Sequence, residues 1–295
     1  MIKRKGIILA GGTGTRLYPS TLSISKQLMP VYDKPMIYYP LSVLMKAGIR
    51  EIMIITTLHD QAAFQHLLGD GKAWGIDITW AVQPSPDGLA QALIIAEDFL
   101  DGAPSAMILG DNLFFGGEFD TALNAATQSE TQNQFGATVF GYHVRNPKAY
   151  GVAEINAENK VIAIEEKPEH PKSNYAITGL YLYDGQAPKY AKTIKPSKRG
   201  ELEITSLNQI YLDRGELNCV LLGEGTSWLD TGTHRSLLRA AEFVHLMEER
   251  QGRRICCPEV IAYLQGWISK TDILKLAEPL KKSGYGDYIL KIANS

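Results

Sequence analysis

The sequence has few cysteines, no excess of either charge and no long apolar run. Cys219, Cys256 and Cys257 are too few for a disulfide framework, and the adjacent pair has neither zinc-ligand spacing nor a C-x-x-C pattern. We therefore expect buried or inert thiols in a reducing compartment. The 30 basic and 32 acidic residues leave a net charge of −2. This balance lacks the basic excess typical of nucleic-acid-binding proteins, so no nucleic-acid partner is expected.

The apolar runs are also too short for a membrane protein, which needs about 20 consecutive apolar residues to span a bilayer. The first run covers only residues 7–10, which is shorter than the apolar region of a signal peptide. These absences predict a cytoplasmic protein with no membrane partner. A chain of 295 residues buries about three quarters of its surface on folding. A large core is therefore expected, in one domain or in one domain with an appendage.

The first half of the chain alternates continuous apolar runs with amphipathic stretches. Such apolar runs are typical of parallel strands that are covered on both faces. We predict strands over residues 6–10, 51–56, 77–82 and 105–109, and helices over residues 36–47, 60–68, 89–100 and 118–128. This alternation predicts an α/β fold with a doubly wound, mostly parallel (Rossmann-like) sheet.

The second half has more strands and ends in helices. Further strands, which either extend the parallel sheet or form a small additional β region beside it, are predicted over residues 137–144, 150–155, 160–166, 176–183 and 217–222. Helices are predicted over residues 202–214, 234–250, 270–281 and 286–292, with Thr233 as the N-cap of the second. The apolar residues of the C-terminal helices recur at helical spacing, so each of these helices must bury one face.

A glycine-rich loop follows the first predicted strand and carries the clearest chemical signal. Its three glycines, Gly11, Gly12 and Gly14, allow the backbone to approach a ligand closely and to aim successive N–H groups at it, as a phosphate chain requires. Leu17 excludes the dinucleotide fingerprint, and the lysine of a P-loop is missing. Arg16 and Lys26 follow the loop and could clamp a polyphosphate, although a lone lysine in a polar loop is more often solvated.

Two aspartates are candidate ligands of Mg²⁺. Asp111 follows the fourth predicted strand, and its carboxylate is expected at the sheet edge where α/β proteins bind ligands. Asp230 precedes a predicted helix. Magnesium ions in phosphoryl chemistry are typically held by one or two carboxylates together with phosphate oxygens. Each aspartate also has a plainer interpretation, as a turn or capping residue, and the sequence does not tell whether the two converge.

Weaker signals concern a base and a sugar. The amide of Gln83 offers a donor and an acceptor, which match the edge of a pyrimidine, and Gly88 allows a ring to lie against the backbone. Glu166 could accept hydrogen bonds from sugar hydroxyls, and Lys167 could hold a sugar phosphate. Taken alone, the segment of Gln83 and Gly88 is an ordinary Pro/Gly turn, and Glu166 and Lys167 are a solvated strand end.

Taken together, these motifs resemble the sugar nucleotidylyltransferases. The resemblance covers nearly the whole chain and is carried by ordered motifs at residues 6–17, 25–30, 35–41, 86–92, 110–112, 150–152, 165–168, 173–181, 228–234 and 284–288. Residues 132–135 depart from the family pattern as a short insertion. The resemblance implies a catalytic domain over residues 1–255, with a nucleotide half at about 1–115 and a sugar-phosphate half at about 136–235. Residues 256–295 would form a C-terminal helical segment with an oligomer contact.

The resemblance also implies roles for individual residues. The residues expected to bind the nucleotide are Leu9, Gly11, Gly12, Gly14, Thr15, Arg16, Lys26, Gln83, Pro86, Gly88 and Asp111. Those expected to bind the sugar phosphate are Asn112, Tyr150, Gly151, Glu166, Lys167, Ile177 and Gly179. Arg16, Lys26, Asp111 and Lys167 would be catalytic, and Asp111 and Asp230 would share Mg²⁺.

The implied reaction is the Mg²⁺-dependent transfer of a thymidylyl group from dTTP to glucose 1-phosphate, which gives dTDP-glucose and pyrophosphate. It would be the first step of the synthesis of a dTDP-deoxysugar such as dTDP-rhamnose. The resemblance further implies a homotetramer that is often inhibited by a downstream dTDP-sugar. Two alternatives stay open: a uridylyl- or cytidylyltransferase that uses the same loop, since a methyl group discriminates by only ~1–3 kcal/mol, and a catalytically silent sensor of sugar nucleotides.

Overall fold

The computed structural model describes residues 3–128 and 136–295, so the predicted insertion at residues 132–135 lies outside the described residues. The strands are β1 (Lys5–Ala10), β2 (Pro30–Val31), β3 (Lys34–Pro35), β4 (Glu51–Thr56), β5 (Asp77–Val82), β6 (Ser105–Leu109), β7 (Asn112–Phe115), β8 (Ala137–His143), β9 (Gly151–Ile155), β10 (Val161–Glu166), β11 (Tyr175–Tyr183), β12 (Leu217–Leu222) and β13 (Ser227–Asp230). The helices are α1 (Tyr38–Lys46), α2 (Gln61–Leu68), α3 (Gln91–Ile95), α4 (Glu97–Leu100), α5 (Gly117–Gln128), α6 (Ala187–Ala191), α7 (Ile204–Asp213), α8 (His234–Gln251), α9 (Pro258–Leu264), α10 (Lys270–Ala277) and α11 (Gly284–Ala293).

The chain forms two compact units, each built from separate stretches of sequence. Unit 1 comprises Met1–Leu9, Gln83–Leu109 and Phe115–Trp228, and unit 2 comprises Ala10–Val82, Gly110–Phe114 and Leu229–Ser295. The boundaries of 1–255 and 256–295 expected from the sequence stay a prediction.

Unit 1 is built on a mixed sheet. β1 and β6 are parallel, and so are β8 and β12. β11 is antiparallel to β6 on one side and to β8 and β9 on the other, and β9 is antiparallel to β10. The strands of the second half of the chain therefore extend the sheet, which was one of the two arrangements that the sequence left open. Residues Gly6–Ala10 are all buried, as their continuous apolar run predicts for a strand covered on both faces.

Unit 2 contains the parallel pair β4 and β5, the hairpin of β2 and β3, and six helices. The long helix α8 begins at Thr233, whose side chain accepts a hydrogen bond from the backbone N–H of Ser236. The Thr233 N–H in turn donates a hydrogen bond to the Ser236 hydroxyl oxygen, which completes a capping box. The predicted N-cap at Thr233 is confirmed.

The C-terminal helices pack against one another inside unit 2. Ile273, Ala277, Ile289 and Ala293 are buried in one cluster, against which Tyr38 of α1 also packs. The apolar stripe predicted for these helices is therefore used within the chain. The oligomer contact expected of residues 256–295 stays a prediction.

The α/β class predicted from the sequence is confirmed, with most strands within one residue of their expected bounds. The helix expected over residues 89–100 is interrupted at Ala96 and divides into α3 and α4. The helix expected over residues 270–281 ends as an α-helix at Ala277, because Pro279 cannot continue the hydrogen-bond ladder. Among the described helices, none is both long enough and apolar enough to cross a membrane.

Candidate active site

The glycine loop and the segment of Asp111 begin side by side. In the parallel pair of β1 and β6, Leu9 is the register partner of Leu109, so the chain leaves both strands at the same end. The two segments that follow, from Ala10 and from Gly110, both belong to unit 2. This is the carboxyl edge of parallel strands, where ligands of α/β proteins bind. Leu9 itself is buried.

The loop has the backbone that its glycines predict. Gly14 has φ +64°, a left-handed conformation, and its carbonyl accepts a hydrogen bond from the Thr21 hydroxyl at 2.8 Å. A Cβ at Gly12 would have no heavy atom within 4 Å, so the main chain is open there to an approaching ligand. A short 3-10 turn over Thr15–Leu17 ends the loop and buries the Leu17 side chain completely. Leu17 thus anchors a loop whose other side chains stay accessible.

Lys26 and Asp111 form an ion pair, although they are far apart in the sequence. The Lys26 ammonium donates to Asp111 Oδ2, and only about a tenth of the lysine side chain is exposed. The second carboxylate oxygen, Oδ1, accepts a hydrogen bond from the amide of Asn112 at 3.0 Å. Asn112, which was expected to bind the sugar phosphate, is buried beside Asp111 in unit 2. The lysine is therefore not the solvated side chain that its loop position alone would suggest.

Asp230 is brought to the same place by its neighbour Thr231. The Thr231 hydroxyl donates to the main-chain oxygen of Asp111 at 2.8 Å, and the Thr231 N–H points to the same oxygen at 3.2 Å. The Asp230 carboxylate accepts from the Gly232 N–H at 2.8 Å. A Cβ at Gly232 would lie 2.9 Å from a guanidinium nitrogen of Arg16, so Arg16 passes directly over this glycine. The convergence of the two aspartates, which the sequence left open, is a feature of the structure.

The two carboxylates have opposite pKa shifts. Burial works against ionisation of Asp111, but the charge and hydrogen bond of Lys26, with help from Asn112, outweigh it and lower the pKa of Asp111. Burial raises the pKa of Asp230, and the negative charge of Asp111 raises it further. One carboxylate thus has its counter-ion, whereas the charged form of the other is disfavoured.

This pair fits a divalent cation. A cation held by Asp111 and Asp230 would add to the partial charge compensation that Asp230 has from Lys26 and Arg16. Mg²⁺ is commonly bound by one or two carboxylates with the remaining ligands from water and phosphate. Within residues 3–128 and 136–295, no group of three or more His, Cys, Asp or Glu side chains is arranged to hold a metal ion.

A second cluster lies in unit 1, where β9 pairs with β10. The register places Gly151 opposite Glu166, and the Lys167 N–H donates to the Tyr150 carbonyl at 3.0 Å. Lys167 has φ +45°, an uncommon conformation for a residue other than glycine that is often found at functional sites. The Tyr150 ring lies 5.1 Å from the ring of Trp228. Four residues expected to bind the sugar phosphate are therefore adjacent.

Three residues of this cluster escaped the sequence analysis. The Thr205 hydroxyl donates to Glu166 Oε2 at 2.5 Å, and an Arg199 nitrogen lies 3.4 Å from Glu166 Oε1. Arg199 is held by the buried Glu203 at 2.8 Å. Glu166 also pairs with Lys167 at 3.5 Å, so two cations share one carboxylate. The basic run Lys198-Arg199 was a signal in the sequence, but nothing there linked it to Glu166.

Ile177 and Gly179 lie on β11, where its pairing with β8 is irregular. Ile177 is opposite Gly141 and Tyr181 is opposite Val139, so extra residues of β11 bulge out of the ladder. Thr178, between them, is fully buried, and its hydroxyl has no hydrogen-bond partner among the described residues. A bulge of this kind redirects side chains and main-chain groups.

The segment expected to bind a base is held by hydrogen bonds within unit 1. The amide nitrogen of Gln83 donates to Gln91 at 2.7 Å and approaches the Gly88 carbonyl at 3.4 Å. Gly88 has φ +112°, and a Cβ there would lie 2.5 Å from the Leu202 nitrogen. Glycine is therefore required at position 88 because the main chain of Leu202 passes so close to it. The sequence did not suggest this contact. Pro86 is exposed at the tip of the same segment.

The expected site residues are thus divided between the two units. Gly11, Gly12, Gly14, Thr15, Arg16, Lys26, Asp111, Asn112 and Asp230 belong to unit 2, whereas Leu9, Gln83, Pro86, Gly88, Tyr150, Gly151, Glu166, Lys167, Ile177 and Gly179 belong to unit 1. Their roles toward ligands stay predictions.

Comparison with known proteins identifies the family of the chain. The family model for nucleotidyl transferases matches residues 5–246. The chain is 60% identical over 293 residues to a glucose-1-phosphate thymidylyltransferase of Xanthomonas campestris pv. campestris, and the match covers 99% of this chain and 98% of that relative.

Solved structures give the same result at the level of the fold. A structure assigned as a glucose-1-phosphate thymidylyltransferase of Bacillus anthracis, in complex with sucrose, is 45% identical with a TM-score of 0.75, and the match covers 81% of this chain and 94% of that one. A UDP-glucose pyrophosphorylase in complex with UDP-glucose has a TM-score of 0.72 over 84% of this chain and 100% of the other, but at 24% identity it shows the fold alone. By its sequence and by its fold, the chain belongs to the nucleotidyl transferase family, among relatives that are glucose-1-phosphate thymidylyltransferases.

Proposed function

We propose that this chain transfers a thymidylyl group from dTTP to α-D-glucose 1-phosphate and so forms dTDP-glucose and pyrophosphate. The observation that carries the proposal is the contact group of unit 2, in which Lys26 meets Asp111 and Arg16 lies beside Asp230 at the end of the glycine loop. The 60% identity to a glucose-1-phosphate thymidylyltransferase supports thymine as the base and glucose 1-phosphate as the acceptor.

The chemistry requires charge neutralisation more than proton transfer. The attacking phosphate oxygen of glucose 1-phosphate is already an anion, so no general base is needed. It forms a bond to the α-phosphorus of dTTP while the bond to the bridging oxygen of the β-phosphate breaks and pyrophosphate leaves. Because both substrates are polyanions, their repulsion is the main obstacle. Arg16 and Lys26 would offset that repulsion at the triphosphate and stabilise the developing charge.

Asp111 and Asp230 are the residues that we expect to hold Mg²⁺. When bound, this cation would neutralise charge on the triphosphate oxygens. Lys26 is the counter-ion of Asp111 in the structure. When a metal cation binds Asp111, the Lys26 ammonium would become available to a phosphate. One phosphoanhydride is exchanged for another, so the reaction is expected to be reversible.

The cluster in unit 1 has the groups needed for a phosphorylated sugar. We expect Glu166 to accept hydrogen bonds from sugar hydroxyls, while Lys167, and with it Arg199, offers positive charge to the phosphate. Gly151 leaves room beside Glu166, because a Cβ there would lie 3.4 Å from its Oε2. Gln83 is the residue expected to recognise the base, with Gly88 and Pro86 shaping its segment.

Further expectations are part of the same proposal. They are a cytoplasmic location, a homotetramer, inhibition by a downstream dTDP-sugar and a role at the start of dTDP-rhamnose synthesis.

The decisive experiment measures pyrophosphate release with glucose 1-phosphate, Mg²⁺ and each nucleoside triphosphate in turn. The proposal predicts the highest kcat/KM with dTTP, slower turnover with UTP, and no pyrophosphate when glucose 1-phosphate is omitted. Preference for UTP or CTP would favour a uridylyl- or cytidylyltransferase instead. Tight binding of dTDP-glucose without turnover of any triphosphate would indicate a silent sensor.

A further inference from the structure

A group of four charges, of which Lys34 and Glu248 are buried and Asp33 and Arg254 are partly exposed, lies in unit 2, outside the contacts described so far. Lys34, which is 3% exposed, pairs with Glu248 at 3.0 Å and with its neighbour Asp33. Arg254 pairs with Glu248 and, at 2.9 Å, with Asp33. The two cations and two anions balance, and we call Asp33, Lys34, Glu248 and Arg254 the charge network.

Burial of such a network is costly in free energy. The free-energy cost of taking ionised groups out of water is offset by their mutual attraction only when the geometry and the remaining hydrogen bonds are good. Proteins in which apolar residues replace such a network are often as stable or more stable. Further contacts support the network, since Glu248 Oε1 also accepts from the Ile255 N–H at 2.8 Å and Tyr39, whose hydroxyl lies 3.5 Å from the Lys34 ammonium, donates to the Val31 carbonyl at 2.7 Å. Asp33 Oδ2, although 2.9 Å from Arg254, has no hydrogen-bond partner among the described residues. The network can therefore have a role other than stabilising the fold. The best-attested role of buried ionic groups is to fix the relative position of the segments that carry them.

The network joins the ends of two segments that lead to the candidate active site. Glu248 lies in the last turns of α8, and α8 begins four residues after Asp230. Lys34 lies on β3 of the hairpin that follows Lys26, and this hairpin is closed by hydrogen bonds from Met36 to Met29 and from Ile37 to Gln27, both at 2.9 Å. Each segment therefore has one end in the charge network and the other at a cation or carboxylate of the site.

The same two segments also touch beside the carboxylates. Met36, two residues after Lys34 and fully buried, has its sulfur 3.1 Å from the Thr231 hydroxyl. Thr231 follows Asp230 and is hydrogen-bonded to the main-chain oxygen of Asp111. A shift of the hairpin against α8 would therefore move Thr231, and with it the position of Asp230 relative to Asp111.

We propose that Lys34 and Glu248 are positioning residues that fix the separation of Asp111 and Asp230 by holding the hairpin and α8 in register. Among the described residues, the hydrogen bonds and ion pairs of the Lys34 and Glu248 side chains are with each other, Asp33, Tyr39, Arg254 and Ile255, and not with the residues expected to bind substrate. They would therefore act on catalysis through the two aspartates. The link to catalysis rests on the function proposed above, whereas the effect on the carboxylate pair does not.

The test separates positioning from stability with three variants. Lys34→Met and Glu248→Gln each leave the network with an unbalanced charge, so both are expected to lower Tm. The double variant Lys34→Met/Glu248→Gln removes one charge of each sign and leaves the pair of Asp33 and Arg254 balanced, so its Tm is expected to return toward wild type. Stability and position can then be read separately in one protein.

The primary readout is the binding of Mn²⁺ to the full chain without nucleotide, followed by electron paramagnetic resonance of the free ion. We expect the double variant to bind Mn²⁺ about tenfold more weakly than wild type, and its kcat to fall at least tenfold with the KM for glucose 1-phosphate unchanged. The matched control is the double variant Lys72→Met/Asp77→Asn, which removes an exposed ion pair of the same unit and should leave Tm, Mn²⁺ binding and kcat unchanged.

A double variant of wild-type Mn²⁺ affinity would overturn the proposal, because the carboxylates would then keep their arrangement without the network. Wild-type Mn²⁺ affinity in a Glu248→Gln variant whose Tm equals that of wild type would overturn the proposal as well. If wild-type protein released no pyrophosphate with any triphosphate, the proposed function would fail, and the Mn²⁺ measurement would still decide the positioning role.

Discussion

At the scale of single residues, the candidate active site is an arrangement of opposite charges that compensate one another. Lys26 neutralises Asp111, whereas burial and the charge of Asp111 raise the pKa of Asp230. The lysine thus occupies a carboxylate oxygen that we expect a cation to use. Competition between Lys26 and a metal ion for Asp111 follows directly from this contact.

Replacement of Lys26 tests that competition. We expect Lys26→Met to lower kcat by at least a hundredfold, because a cation at the triphosphate is lost. The same variant should bind Mn²⁺ more tightly than wild type in the absence of nucleotide, by about tenfold, because Asp111 no longer has an internal counter-ion. Isothermal titration with Mn²⁺ measures this, and Lys72→Met, at an exposed ion pair, is the control. Equal or weaker Mn²⁺ binding by Lys26→Met would show that the lysine does not compete.

Replacement of Asp111 tests the carboxylate pair from the other side. Asp111→Asn keeps the size of the side chain but removes the charge that faces Lys26, so we expect turnover to fall by at least a hundredfold at any Mg²⁺ concentration. Circular dichroism should show a folded protein. A variant that keeps wild-type kcat at limiting Mg²⁺ would remove Asp111 from the metal site.

At the scale of structural elements, close main-chain approaches constrain the fold as strongly as apolar packing does. Gly88 is such a position, since a Cβ there would overlap the main chain of Leu202 and φ is +112°. We expect Gly88→Ala to destabilise the chain by about 1–3 kcal/mol, the range for a residue forced into a disfavoured backbone conformation. Urea unfolding measures this. Gly117→Ala is the matched control, because a Cβ at Gly117 meets nothing within 4 Å, and an equal loss in both variants would contradict the account.

The C-terminal helices contain a buried carboxyl group whose ionisation is opposed by its surroundings. Burial raises the pKa of Glu259, although hydrogen bonds from Tyr285 and Cys257 and the charge of Lys34 act in the other direction. A raised pKa in the folded state means that the stability contribution is full below the ordinary glutamate pKa and is lost as pH rises through the raised value. Glu259 should therefore make the protein less stable at neutral than at mildly acidic pH.

The substitution Glu259→Gln tests this sign. Glutamine keeps an acceptor for the Tyr285 hydroxyl, which donates to Glu259 at 2.7 Å, but it does not ionise. We expect the Tm of the variant to match that of wild type near pH 4 and to exceed it at pH 8, because the unfavourable ionisation of Glu259 is removed. Glu249→Gln, at an exposed position of α8, should have no effect at either pH. A variant that is less stable than wild type at pH 8 would reverse the argument.

The sequence predicts the longer elements well and the short ones poorly. Apolar runs such as Gly6–Ala10 and the helical pattern of α8 are strong signals because many residues contribute to them. The two-residue strands β2 and β3 have no periodicity to detect, and α9, which begins with Pro258, is only seven residues long. These elements are formed by tertiary contacts, which a local pattern does not contain.

At the scale of the whole molecule, the motifs locate the candidate residues but not their contacts. Asp111 and Asp230 lie 119 positions apart, and only the structure shows that Thr231 joins them. Arg199 and Thr205 were missed because their partner, Glu166, is distant in sequence, and the charge network escaped for the same reason. Resemblance to a family gives roles to motif residues, whereas the residues that support them follow from packing.

The central claim is that Arg16, Lys26 and a cation on Asp111 and Asp230 together hold the phosphates that react. Its most direct test is a crystal structure with dTDP-glucose and Mn²⁺, with anomalous scattering recorded at the manganese edge. We expect a manganese peak between the two carboxylates and the phosphates of the product beside residues 11–16. Phosphates bound away from this loop, or manganese bound without either aspartate, would contradict it.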